Sequence, residues 1–246
     1  MAPPDAAPRD AVSPVLVARP PRARLSRPTE PPCGGSPVSS LVRVRDLVHV
    51  YDRRPVLSVP ELDVPAGRWH VAGPNGAGKT TLLGILSTLI RPTRGEIAVA
   101  GHPLPEQARQ ARARLGYVGH EPSLHPDLAA REALAMHAGF HEVPQARVDE
   151  ALATWSLAER GSRSVAELSF GQRRRLDLAR ALLHEPEVLL LDEPARGLDE
   201  AGQATLADQL AGDGPELVLV GAPERAPVEV DGKIQLADGR VQEAPA

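Results

Sequence analysis

The chain predicts an α/β fold organised around a nucleotide phosphate loop, and three observations carry that prediction. GPNGAGKTT, Gly73 to Thr81, has two glycines, Gly73 and Gly78, with four residues between them and Lys-Thr after the second, the spacing of a phosphate loop, and it opens into the apolar helix TTLLGILSTLI. VLLLDE, Val188 to Glu193, is an apolar run ending in two carboxylates, as expected of a buried parallel strand that presents acids at its C-terminal edge. Upstream, LVRVRDLVHVY alternates apolar and charged residues with period two, and VLSVPELDV follows it, so the pair reads as a small antiparallel layer.

Each residue type in the loop has a physical task. Gly73, Gly76 and Gly78 allow positive φ and let backbone N–H groups face phosphate oxygens, while the helix that follows adds the positive end of its dipole. Pro74, Asn75, Ala77 and Thr81 complete the segment, Lys79 reaches toward β- and γ-phosphates, and Thr80 supplies a hydroxyl for Mg²⁺. Composition sharpens the point, because the only lysines are Lys79 and Lys233 and the only asparagine is Asn75. Two residue types that the chain otherwise nearly avoids thus meet in one loop.

A chain of 246 residues that is 42% hydrophobic can bury a real core. Its net charge of −4 gives no basic face for nucleic acid. The lone Cys33 cannot form an internal disulfide, which points to a reducing compartment. No stretch approaches the roughly 18 apolar residues of a membrane span, so any membrane role is expected to run through a partner. Residues 1–40 hold ten prolines and five arginines without apolar periodicity and read as a disordered tail. Within it, Val15 to Ala18 is too short for a signal peptide.

The folded part is expected from Leu41 to Ala246. Tyr51 ends the first strand, and it is either a platform for a nucleotide base or a strand-end ring packed on the core. RWHVA delivers the phosphate loop, and the helix from Thr80 carries Leu82, Leu83, Ile85, Leu86, Leu89 and Ile90 at helical spacing before Pro92. EIAVAG and LGYVGHEP read as strands, with His120 at the end of the second. Helical patterns in AAREALAMHAGF and QARVDEALATWSLAERG suggest an inserted helical subdomain at about residues 121–167. His137 and His141 have the i, i+4 spacing of zinc ligands. With no Glu after His137, no third histidine nearby in sequence and Gly139 weakening the helix, they read instead as solvated or satisfied histidines. Ser169 and Gln172 form a capping box that starts a helix, and Arg173 to Arg175 read as its solvated face. VEVDGKIQLADGRV closes the chain as two short strands around Asp238 and Gly239.

Taken in order, Tyr51, GPNGAGKT, ELSFGQRRRLDLARALL, VLLLDEP and the GLD of Gly197 to Asp199 resemble the ATP-binding subunit of ABC transporters across about residues 41–241. LSTLIRPTRGEI and YVGHEPSLHPDLAAREAL look most like the haem-exporter ATPases of cytochrome c maturation. The resemblance implies a P-loop NTPase ABC cassette with a RecA-like core, a small antiparallel β layer and an inserted helical subdomain. It also implies an ATPase that uses ATP and Mg²⁺, pairs as a homodimer or heterodimer of cassettes, and drives membrane permease subunits from the cytoplasmic face of the membrane. Carried over by residue, Tyr51 would stack on adenine, Thr80 and Asp192 would hold Mg²⁺, and Glu193 would be the catalytic glutamate. Asp199 would lie in the D-loop, and the signature Ser169, Phe170, Gly171 and Gln172 would act in trans on the partner's ATP.

Three positions depart from the family's pattern. Phe170 replaces a signature glycine, and so requires negative φ or about 1–2 kcal/mol of strain. His120 stands where glutamine is usual, though the haem-exporter relatives look similar there. Ala222 aligns with a histidine that contacts the γ-phosphate, and no histidine follows His184. ATP binding with slow turnover is therefore expected. Drug or lipid export and a non-hydrolysing regulatory cassette are the alternatives within the family. A soluble ABC protein acting on DNA or ribosomes would show tandem cassettes or a coiled-coil insertion. A GTPase would need an Asn-Lys-x-Asp motif, which the single Asn75 excludes.

Overall fold

The computed structural model describes residues 40–211 and 214–245. Apart from Ser40, the expected tail lies outside the described residues. Strands β1 (Val42–Tyr51) and β2 (Arg54–Val64) pair antiparallel, with Val42 opposite Val64 and Leu47 opposite Val59. Strand β3 (Gly67–Ala72) leads into the phosphate loop and helix α1 (Lys79–Leu86). There follow β4 (Arg94–Val99), β5 (His102–Leu104), α2 (Ala108–Ala113) and β6 (Leu115–Val118). Helices α3 (Ala130–Phe140) and α4 (Ala146–Thr154) and two short 3-10 turns fill the stretch before α5 (Phe170–Leu182). The last elements are β7 (Val188–Asp192), α6 (Glu200–Leu210), β8 (Leu217–Gly221), β9 (Gly232–Ala237) and β10 (Arg240–Glu243).

Among the described residues the strands join in one sheet of order β5-β4-β1-β2-β10-β9-β3-β8-β7-β6. The expected β layer is therefore not separate from the core. The β9–β10 hairpin couples it to the parallel strands, β10 against β2 and β9 against β3. Strands β7 and β8 are buried along their whole length, and their side chains divide between two cores. Val188, Leu190, Leu217 and Leu219 join α1 and the β1–β2 layer on one face, whereas Leu189, Leu191, Val218 and Val220 join α3 to α6 on the other. Such strands can lack alternation because water reaches neither face.

Helix α1 is shorter than expected. It ends at Leu86, after which Thr88 takes φ +67° and the amides of Leu89 and Ile90 both donate to the Gly84 carbonyl at 3.0 Å. Ile90 folds back over Gly84, where a Cβ would stand 2.7 Å from its Cδ1, and Leu89 is left 68% exposed. The apolar spacing continues past the helix because this return turn also needs an apolar residue to cover Gly84.

Candidate functional site

The phosphate loop occupies the turn between β3 and α1. Gly73 adopts φ +150° with its Cα so close to the hairpin that a Cβ would lie 2.2 Å from the Leu236 carbonyl oxygen, which excludes any side chain. Gly76, at φ +83°, faces open space, and Gly78, at φ +101°, caps α1 in the left-handed region. Lys79 is buried at 6% exposure, and its Nζ donates to the carbonyls of Gly73 (2.7 Å) and Pro74 (2.9 Å). It makes no ion pair among the described residues. A buried ammonium satisfied only by loop carbonyls is suited to receive an anion.

Thr80 Oγ1 donates to Asp192 Oδ2 at 2.7 Å. Asp192 is 1% exposed, and burial raises its pKa while the Thr80 hydrogen bond opposes the shift. Two hard oxygen donors meeting there fit Mg²⁺. Next to them Glu193 takes φ +47°, with its amide donating to the Gly221 carbonyl at 2.8 Å. His120, two residues past β6, places Nδ1 3.5 Å from Glu193 Oε2, and its Nε2 faces the Arg196 guanidinium. A carboxylate beside an oxygen-lined cation site can orient or deprotonate a water. Tyr51 is 61% exposed at the end of β1, in edge contact with His49 at 5.5 Å, so it is not the core-packed ring allowed by its spacing.

At the start of α5 the capping box forms as expected. Ser169 Oγ accepts from the Gln172 amide (3.2 Å), and Gln172 Oε1 accepts from the Ser169 amide (3.0 Å). Phe170 is the first helical residue, so it carries no positive-φ strain. Its ring instead fills the space above Gly197, where a Cβ would lie 2.3 Å from Phe170 Cδ1, and a Cβ on Gly171 would lie 2.5 Å from the Gly197 carbonyl oxygen. Asp199 caps α6 by accepting from the Gly202 amide at 2.9 Å and pairs with Arg175; these contacts hold its carboxyl below the usual range.

Two expectations need correction. Arg173 to Arg175 are not a solvated face, because Arg174 is fully buried and donates to the carbonyls of Gly119 (2.6 Å) and His120 (2.5 Å), while Arg173 donates to Leu168 and Arg175 to Asp199. Nor do His137 and His141 lack a third histidine, since His184, just beyond α5, joins them. Burial, aided by Arg180 and the neighbouring imidazoles, pushes His137 down to about 3 and His184 to about 4, and it also lowers His141. Ala222 is buried, its carbonyl accepting from His70 Nε2 at 3.0 Å and its amide donating to Val71, so its position is fixed although it offers no polar side chain.

The chain matches the family model described as ABC transporter over residues 57–196, from β2 to just past Glu193. It is 43% identical over 177 residues to the daunorubicin resistance ATP-binding protein DrrA3 of Streptomyces coeruleorubidus, covering 69% of this chain and 56% of that protein. It is 35% identical over 178 residues to the Nod factor export ATP-binding protein I of Cupriavidus metallidurans, covering 70% of this chain and 59% of that protein. The chain thus spans just over half the length of these curated relatives. A solved structure titled as the ATP binding subunit of an ABC transporter superposes with a TM-score of 0.74 at 26% identity, over 83% of this chain and 89% of that one.

Proposed function

Because the chain belongs to the ABC transporter family as an ATP-binding subunit, we propose that it binds ATP at Gly73–Thr81 and hydrolyses it to drive export through a membrane permease. The observation that carries this is the buried Lys79, held by loop carbonyls beside the Thr80–Asp192 pair. On ATP arrival, Lys79 exchanges those carbonyls for phosphate oxygens, and the loop amides and the N-terminus of α1 hold the remaining charge. Thr80 and Asp192 would hold Mg²⁺, which when bound offsets charge on the β- and γ-phosphate oxygens. Glu193 orients and deprotonates the attacking water, and His120, 3.5 Å away, fixes its carboxylate. Tyr51 offers its open ring to the adenine. Two cassettes pair head to tail, so that Ser169, Gly171 and the N-terminus of α5 in one subunit complete the phosphate site of the other.

Among the described residues no helix is long and apolar enough to cross a membrane; the reading as a peripheral subunit held at the cytoplasmic face by a permease rests on the family. Drug- or lipid-like cargo is favoured over haem, because the relatives above are named for daunorubicin resistance and Nod factor export. The test is calorimetric titration of Mg·ATP into the wild type and Lys79→Ala. Loss of the ammonium should weaken binding by roughly 10–100-fold, the worth of a charge-assisted hydrogen bond. Equal affinities would remove the assignment.

Ala222 supports a second reading, in which the cassette binds ATP tightly but turns over slowly. Its methyl cannot donate to a γ-phosphate, whereas binding relies on groups that are all present.

A further inference from the structure

We propose that His137, His141 and His184 form a three-imidazole site for a divalent transition cation, with Zn²⁺ the best fit, that ties the end of α3 to the end of α5. One ring nitrogen from each lies within 4.8 Å of the other two. A common point therefore sits no more than about 2.8 Å from all three, against the ~2.0–2.1 Å of a Zn–N bond, and ligation would need ring rotations that unstack His141 from His184 and turn their lone pairs inward. His137 and His141 reach this point from successive turns at the C-terminal end of α3, and His184 reaches it from beyond α5.

Hydrogen bonding supports ligation. His184 Nε2 donates to the Leu115 carbonyl at 3.2 Å, which leaves Nδ1 as the lone-pair nitrogen, and that Nδ1 is buried without a partner. A backbone carbonyl that fixes one ring nitrogen while the other is free is the usual outer support of a metal-bound histidine. His137 Nε2 is likewise buried and unpartnered. The rings contact one another, His141 stacking on His184 at 3.9 Å and His137 lying 4.6 Å from His141. Orphaned buried nitrogens are costly in a core that leucines could fill, and a cation would satisfy them together. Arg180 is the nearby positive charge, but its Nε donates to Asp177 and a terminal nitrogen donates to the Tyr117 carbonyl, so much of its charge is offset. All three residues are half-buried, which leaves a route for the ion and room for a water as fourth ligand.

When filled, the site would fix α3 against the base of the helix whose first turn carries Ser169 and Gly171. The test uses untagged, chelator-treated full chain with Mg·ATP saturating the nucleotide site, titrated with Zn²⁺ by calorimetry and with Co²⁺ by visible absorption. We expect one Zn²⁺ per chain with Kd of about 1 μM or tighter. Melting should rise by about 5–10 °C at a hundredfold excess over Kd. His137→Gln and His184→Gln should each weaken binding at least about 10-fold, whereas His125→Gln, at an exposed histidine, should change nothing. Kd weaker than about 100 μM, or unchanged binding in the doubly substituted chain, overturns the proposal. Should either variant fail to fold, X-ray absorption at the zinc edge of the loaded wild type decides, since fewer than three imidazole nitrogens at ~2.0 Å contradicts the site.

Discussion

Thr80 and Asp192 share a 2.7 Å hydrogen bond that joins the first turn of α1 to the end of β7. The hydroxyl thereby aims a buried carboxylate at the mouth of the phosphate loop before any cation arrives.

Thr80→Val keeps the shape and removes that donor. The Mg²⁺ concentration that half-saturates ATP turnover should rise by about 10–100-fold, while ATP affinity in chelator stays unchanged. A normal Mg²⁺ requirement would show that the hydroxyl is not a ligand.

Ala222→His tests the slow-turnover reading. One preorganised donor to a transition state is worth on the order of 10²–10³ in rate. Restoring part of it should raise steady-state ATP hydrolysis by about 10-fold or more without changing ATP affinity. A wild type that already turns over at about 1 s⁻¹ and does not respond to the substitution would end that reading.

Arg174→Met should be the costliest change in α5. The variant strands the carbonyls of Gly119 and His120, the second belonging to the residue whose ring faces Glu193, and its unfolding free energy should fall by about 2–4 kcal/mol. Chemical denaturation measures this. Arg174→Lys should recover little, since one ammonium cannot reproduce the fork that spans two carbonyls.

Asp63→Asn probes the partly exposed face of the β1–β2 pair, where Arg45 grips Asp63 at 2.9 and 2.7 Å and holds its carboxyl below the usual range. A lowered folded-state pKa means the unfolded chain binds the proton first, so the stabilisation is present above the unfolded value near 3.8 and disappears as pH falls through the folded one. The pair is partly exposed, so the variant should lose at most about 1 kcal/mol at pH 7. That difference should vanish in strong acid, and one that persisted there would assign the effect to packing.

What could be read in advance was local. The phosphate loop, the acid-tipped strand β7 and the Ser169–Gln172 box are each set by residues a few positions apart, and their chemistry fixes their shape. The run Arg173 to Arg175 reads as solvated because only the folded chain brings the Gly119 and His120 carbonyls over Arg174. The link of His184 to His137 and His141 is non-local in the same way, since nothing near those two in the sequence announces it. Phe170 implies strain only if its φ is positive, and as the first residue of α5 it is not. Gly197, which makes room for the ring, is legible only in three dimensions.

The β9–β10 hairpin also bears on how the protein is made. Its Leu236 carbonyl walls in Gly73, its Gly239 amide donates to Ala77 at 3.2 Å, and its Gly239 carbonyl accepts from Ser58 at 2.6 Å. The phosphate loop therefore leaves the ribosome long before the residues that shape it, and closing such distant pairings is the slow part of folding. A nascent chain that has passed Thr81 but not Gly239 carries the complete motif without the finished cradle. A nucleotide that needs the finished cradle is therefore expected to bind late and to lock an almost completed sheet.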